Sequence, residues 1–249
     1  MDRGFEVKID KQNYTIKSST VTTFKAQYEQ RINSLTDLLI EEDTFDASLI
    51  LSKLFPTVNA DIFLSHSSQD SDYAIQIAED LKDCGITVFI DSLVWGSVYD
   101  LLKAIDNKYC LSANGQTYDY DERNRSTAHL HMVLSTALQR MIYQTDTILF
   151  MNTEKSISLK HSVKGELKTL SPWIHMELSF SSMVRRKPRR TGVKQEGRMM
   201  DHASNESFSV VHEAPTRHLT NISDNQFQSW LRYAFLYGRE ALDQLYTKY

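Results

Sequence analysis

Ala60-Asp-Ile-Phe-Leu-Ser65-His-Ser-Ser-Gln-Asp70 runs on through Ser71-Asp-Tyr-Ala-Ile-Gln-Ile-Ala-Glu-Asp80-Leu-Lys-Asp-Cys-Gly85 and closes with Ile86-Thr-Val-Phe-Ile90-Asp91. The short apolar run 61–65, closed by His66 to Asp70, reads as a strand. Tyr73, Ile77, Ala78 and Leu81 then recur at helical spacing, and Gly85 stands where a helix C-cap is expected. Ile86 to Ile90, rich in β-branched and aromatic residues, reads as a second strand. Strand, helix and strand in about thirty residues make a βαβ unit, which predicts a parallel sheet with a right-handed crossover.

Working outward, Thr147-Ile-Leu-Phe-Met151 reads as a third strand. Ser126 to Tyr143 reads as a long helix, with Leu130, Val133, Leu134, Ala137, Leu138 and Met141 on one broad face. Ser171-Pro172-Trp173 opens another helix, with proline at the first helical position, where its missing N–H costs nothing. Residues 92–99 read as a loop, with a short helical stretch over 100–105. Phe208 to His212 reads as a fourth strand, and Phe227 to Tyr246 as a closing helix. Before Ala60, residues 5–17 read as a short hairpin. Phe24, Tyr28, Ile32, Leu35 and Leu39 form one helical stripe, and Phe45, Leu49 and Leu54 suggest a second helix. The expected organisation is an N-terminal α/β appendage over 1–58 and a main domain over 59–249, with insertions at about 109–125 and 185–205.

Composition narrows the function. The chain has 249 residues and a formal charge of -4, so it has no general attraction for phosphate backbones. No apolar run reaches the roughly 18 residues that a membrane span needs. Residues 185–198 hold seven basic residues and one acidic; with no aromatic residues interleaved they read as a solvated loop, and neither nucleic-acid nor membrane partners are expected. With only Cys84 and Cys110, and no signal-peptide core in the opening MDRGFEVKIDKQNY, the expected setting is cytoplasmic and the cysteines read as buried hydrophobes. The eight glycines include no pair two apart, so a Rossmann phosphate loop is absent. Gly192 and Gly197 have P-loop spacing, but Arg198 and Met199 follow where Lys and Ser or Thr are required.

An open parallel sheet binds ligands at the carboxyl ends of its strands. Those ends are Ser65-His66-Ser67-Ser68, Asp91 to Trp95, and the loop after Met151. Trp173 and Glu177 lie one turn apart on the helix opened by Pro172, roughly 6 Å apart at Cβ. By spacing alone this is a half-buried aromatic beside a solvated carboxylate.

Together, residues 61–70, 85–91 and Ser171-Pro-Trp-Ile-His-Met-Glu177-Leu resemble the first strand and loop, the second strand and the WxxxE helix of Toll/interleukin-1 receptor (TIR) domains. The likeness is greatest to prokaryotic members that consume NAD, including those of Thoeris antiphage systems. It implies a flavodoxin-like fold, a five-stranded parallel sheet with helices on both faces. It also implies cleavage of the nicotinamide–ribose bond of NAD, with NAD as substrate and neither metal nor resident cofactor. Glu177 falls on the catalytic glutamate. Trp173, Phe89 or Trp95 is placed to stack on a ring of the substrate. Ser65, His66 and Ser67 are placed to hydrogen-bond its ribose or diphosphate, and Asp91 lines the same edge; His66 is equally placed to cap the following turn. Homotypic oligomers and a downstream sensor of the product are implied partners. The loop after Asp91 lacks the proline-glycine turn of many TIR domains, and the arginines that some members carry near the first loop are missing. A noncatalytic TIR scaffold and a nucleoside deoxyribosyltransferase-like enzyme are the alternatives.

Overall fold

The structure is a computed structural model that describes residues 3–41, 60–90, 92–112, 114–158, 160, 162, 167–184 and 210–249. Its centre is a five-stranded sheet in which every pairing is parallel. The strands are β1 (Arg3–Lys8), β2 (Ile62–Ser65), β3 (Val88–Ile90), β4 (Thr147–Asn152) and β7 (Thr220–Ile222), in the spatial order β3-β2-β4-β1-β7. Two short strands, β5 (Lys168–Thr169) and β6 (His212–Glu213), pair antiparallel beside it.

Among the described residues the α-helices are α1 (Ser18–Glu41), α2 (Ser71–Asp83), α3 (Ser92–Tyr109), α4 (Tyr120–Gln144), α5 (Pro172–Met183), α6 (Asp224–Tyr237) and α7 (Ala241–Lys248). They lie on both sides of the sheet because strand side chains alternate. Phe63, Ile148 and Phe150 pack with residues of α3, α4 and α5. Ile62, Leu64, Leu149 and Met151 point the other way, into a core shared with α2, α6 and α7. This is the expected α/β architecture.

The N-terminal segment corrects the sequence reading. Residues 3–8 are not one arm of a hairpin outside the main domain but an interior strand of the main sheet. β1 is paired along its whole length with β4 and again with β7. Its Phe5-Glu6-Val7 alternation looks like a half-exposed strand in isolation, yet an interior strand is covered on both faces, and Phe5, Glu6 and Val7 are all buried. Leaving β1 aside, the other four strands follow flavodoxin-like order, with the N-terminal strand in the fourth place. After β1 the chain makes a 3-10 turn at Lys11–Asn13, where the second arm of a hairpin was expected. Asp224, at the start of α6, accepts hydrogen bonds from the Asp10 backbone and from the Asn13 and Tyr14 side chains, and so anchors that turn.

Other boundaries shift for local reasons. The expected loop 92–99 is helical, and α3 runs unbroken from Ser92 through Gly96. α4 begins at Tyr120 rather than Ser126, because Asp119 caps it by accepting the Glu122 N–H at 3.0 Å. Buried Asp106 holds that start down, accepting from Arg123 Nε at 2.9 Å and from Ser126 Oγ at 2.8 Å. The closing helix divides at Gly238, whose φ of 60° suits glycine. An added Cβ there would lie 3.1 Å from the Cys84 carbonyl oxygen. Of the expected fourth strand, His212 falls in β6 while Phe208 and Ser209 lie outside the described residues, and β7 supplies the fifth place in the sheet. The expected second N-terminal helix and the basic segment 185–198 lie outside the described residues.

Candidate functional site

The loops that follow β2 and β4 meet at the carboxyl edge of the sheet, the topological switch point of a doubly wound fold. Ser65 is the last residue of β2 and has no exposed surface. Ser171 caps α5, accepting the Ile174 N–H at 3.3 Å, and Pro172 follows as the first helical residue. This start fixes the helix phase so that Glu177 turns into the protein, where it too has no exposed surface. The two meet: Ser65 Oγ donates to Glu177 Oε2 at 2.6 Å, across 112 positions of sequence. A hydrogen bond of this length satisfies one oxygen of a buried carboxyl group and fixes its direction.

The other expected residues divide into three groups. Phe89 and Trp173 are half-buried on the Glu177 side of the sheet. Phe89 packs on Phe63 with ring centroids 5.4 Å apart, and Trp173 meets His131 of α4 edge-on at 5.6 Å. Trp173 is thus held by the helix beside it. His66 and Ser67 shape the loop. His66 Nδ1 lies 3.1 Å from the Leu64 carbonyl oxygen, which can only accept, so that nitrogen carries the proton. Ser67 caps the 3-10 turn at Ser68–Asp70 through the Gln69 N–H. Asp91 lies outside the described residues, and Trp95 falls within α3, its side chain also outside the description.

Several polar residues at this edge escaped sequence reasoning. Asp70 has no exposed surface, and it accepts from Lys11 Nζ at 2.5 Å and from Thr153 Oγ1 at 2.5 Å. The loops after β1, β2 and β4 are therefore tied at one carboxylate. Thr153 is itself fixed by Ser156, whose Oγ accepts the Thr153 N–H at 2.8 Å. On the Glu177 side of the sheet, buried Glu6 accepts from Asn152 Nδ2 at 2.5 Å. The signal available in sequence was a lone carboxylate between Phe5 and Val7, legible only once both faces of β1 are known to be covered.

Asp61, the first residue of the motif 61–70, stands at the opposite end of β2. Its carboxylate accepts from the Thr87 N–H and hydroxyl, both at 2.8 Å, and pairs with Arg239 at 2.5 Å, a structural role. Burial pushes both cysteine thiols up from their ordinary pKa, which weakens them as nucleophiles. His212 of β6 stacks on His175 of α5, centroids 5.1 Å apart, and His175 Nδ1 lies 2.7 Å from the Glu213 carbonyl oxygen. Burial, and then the charge of His175, hold His212 below the usual histidine range. Among the described residues no group of three or more His, Cys, Asp or Glu is placed to hold a metal ion, and no helix is long and apolar enough to cross a membrane.

Comparison with protein-family models, with curated proteins and with solved structures finds no match to this chain. The resemblance to TIR domains therefore rests on the three motifs and on what they build.

Proposed function

We propose that this chain is a TIR-type enzyme that cleaves the nicotinamide–ribose bond of NAD+, releasing nicotinamide and an ADP-ribose product or signal in antiphage defence. The observation that carries the reading is the hydrogen bond from Ser65 to Glu177. It joins the first-strand motif and the WxxxE motif at the edge where such sheets bind ligands.

The chemistry suits one fixed carboxylate. The nicotinamide of NAD+ is cationic and departs as a neutral ring, so the leaving group needs no general acid. The remaining task is to stabilise the oxocarbenium-like charge that grows on the ribose as the bond lengthens. A preorganised carboxylate in a water-poor site does this far better than one in bulk water. Ser65 keeps Glu177 oriented toward the sheet edge. Phe89 and Trp173 offer aromatic surface on the same side, and the loop 66–68 offers polar groups for ribose or diphosphate. Because Glu177 is closed off from solvent, substrate reaches it only when α5 or a strand-end loop moves. Assembly of several copies, or a cue from infection, is the kind of event that supplies such movement.

The test separates this reading from its alternatives. Concentrated protein is incubated with NAD+ and, separately, with a 2′-deoxynucleoside plus a free base, and products are resolved by chromatography with mass detection. Nicotinamide from the first mixture and no base exchange in the second is expected. Base exchange with NAD+ intact would indicate a deoxyribosyltransferase. Silence in both, with infected-cell lysate added, would indicate a scaffold.

A further inference from the structure

The end of α6 carries a group of side chains that neither the core nor the candidate site uses. Trp230 and Ala234 turn into the core. Past Ala234, Phe235 is 72% exposed, Leu236 77% and Tyr237 52%. Successive helical residues are about 100° apart, so Leu236 stands at the centre of the exposed arc with Phe235 and Tyr237 on its flanks. Tyr233 extends the surface one turn back, stacked on Tyr237 with ring centroids 4.3 Å apart. Single apolar residues on a surface are ordinary, whereas a contiguous group marks a place of contact. α6 starts beside the loop after β1, where Asp224 anchors Asp10 and Asn13. It finishes near Arg239, which pairs with Asp61 at the start of β2. The exposed group is therefore at the opposite end of the sheet from the edge that holds Ser65 and Glu177.

Area and charge select the occupant. Taking about 200 Å² for each large side chain, Phe235, Leu236 and Tyr237 present roughly 400 Å². A standard interface covers roughly 800 Å² on each partner, a little over half of it apolar, so these three supply most of the apolar share of one such contact. The charges beside them are of both signs: exposed Arg232 lies one turn before Leu236, and exposed Glu240 four residues after it, past the turn at Gly238. An apolar centre flanked by both signs complements itself under a two-fold rotation, which brings Arg232 of one copy toward Glu240 of the other. A partner of one dominant charge would call for a flank of the opposite sign alone. We propose that the end of α6 is a docking surface for a second copy of this chain, forming a two-fold dimer centred on Leu236. The dimer leaves the carboxyl edge of each sheet uncovered and does not depend on the NAD-cleaving reading.

The test is the oligomeric state of the full chain, read by sedimentation velocity over rising concentration. Wild type is expected to pass from monomer to dimer. Leu236→Asp puts a charge at the centre and is expected to raise the dissociation constant by at least about 100-fold, whereas Met132→Asp, at a similarly exposed position on α4, is expected to leave it within about twofold of wild type. Both side chains are on the surface, so the melts of the two variants at a concentration where all are monomeric are expected to match that of wild type. Arg232→Glu and Glu240→Arg are each expected to weaken the dimer about tenfold, and together to restore it to within about threefold, because the two charges then meet in reversed order. A wild type that stays monomeric at every concentration would overturn the proposal, as would a dimer that Leu236→Asp leaves intact. Charge reversals whose losses simply add would overturn the two-fold pairing at Leu236.

Discussion

Ser65 and Glu177 stabilise each other unequally, and that asymmetry is measurable. Ser65→Ala leaves the buried carboxylate without the hydroxyl that faces it, and is expected to lower unfolding free energy by about 1.5–3 kcal/mol, read from denaturant midpoints. Glu177→Gln still accepts from Ser65 and replaces a buried ionisable group by a neutral amide, so its stability is expected to equal or exceed that of wild type. A Glu177→Gln protein less stable than Ser65→Ala would mean that the carboxylate is there for the fold. Gly4 offers a second residue-level test. A Cβ on β1 at that position would lie 2.5 Å from Leu219 Cδ2 and 2.9 Å from Ile148 Cγ2. Gly4→Ala is therefore expected to cost about 1–3 kcal/mol through overpacking, measured in the same way. At this scale sequence reading went only part of the way. The types and spacing of Trp173 and Glu177 were visible, but the partner of Glu177 lies 112 residues away. Nothing local in the chain announces Asp70 as the knot between Lys11 and Thr153.

Among the elements, α5 and the β5–β6 pair share the His175–His212 stack, which makes their contact sensitive to pH. The pKa of His212 is depressed in the folded protein, so the unfolded chain takes up the proton more readily. Its contribution to stability is present above the ordinary histidine value of about 6.5 and is lost as pH falls below it. Melting temperature is expected to drop between pH 7 and pH 5, and His212→Gln is expected to flatten that slope. An unchanged slope would remove His212 as its source. Strong patterns were legible at this scale: the βαβ unit from Asp61 to Ile90, the strand at 147–151 and the proline-led start of α5. The misreadings also have physical causes. Gly96 sits inside a helix despite a cost near 1 kcal/mol relative to alanine, and so the segment read as a loop. β5, β6 and β7 are two or three residues long, too short for alternation to show.

For the whole molecule, the decisive element is the one that looked peripheral. β1 separates β4 from β7 and contributes Phe5 and Val7 to one core. Removing residues 1–17 would leave two strand edges unpaired and take the Lys11–Asp70 tie with them. The fragment 59–249 is therefore expected to be insoluble or to lack a cooperative melt, by circular dichroism, whereas an independent main domain would melt as the full chain does. Resemblance covers about 61 to 180, and the strand order could not follow from it because the fourth place in the sheet is filled from the other end of the chain. Net charge said least about function, since the proposed chemistry depends on one buried carboxylate, Glu177. The most direct test of the account is nicotinamide release from NAD+ by wild type and by Glu177→Gln, each shown to be folded by its thermal melt. Release by wild type and a loss of at least about 100-fold in the variant is the predicted result; equal release by both would contradict it.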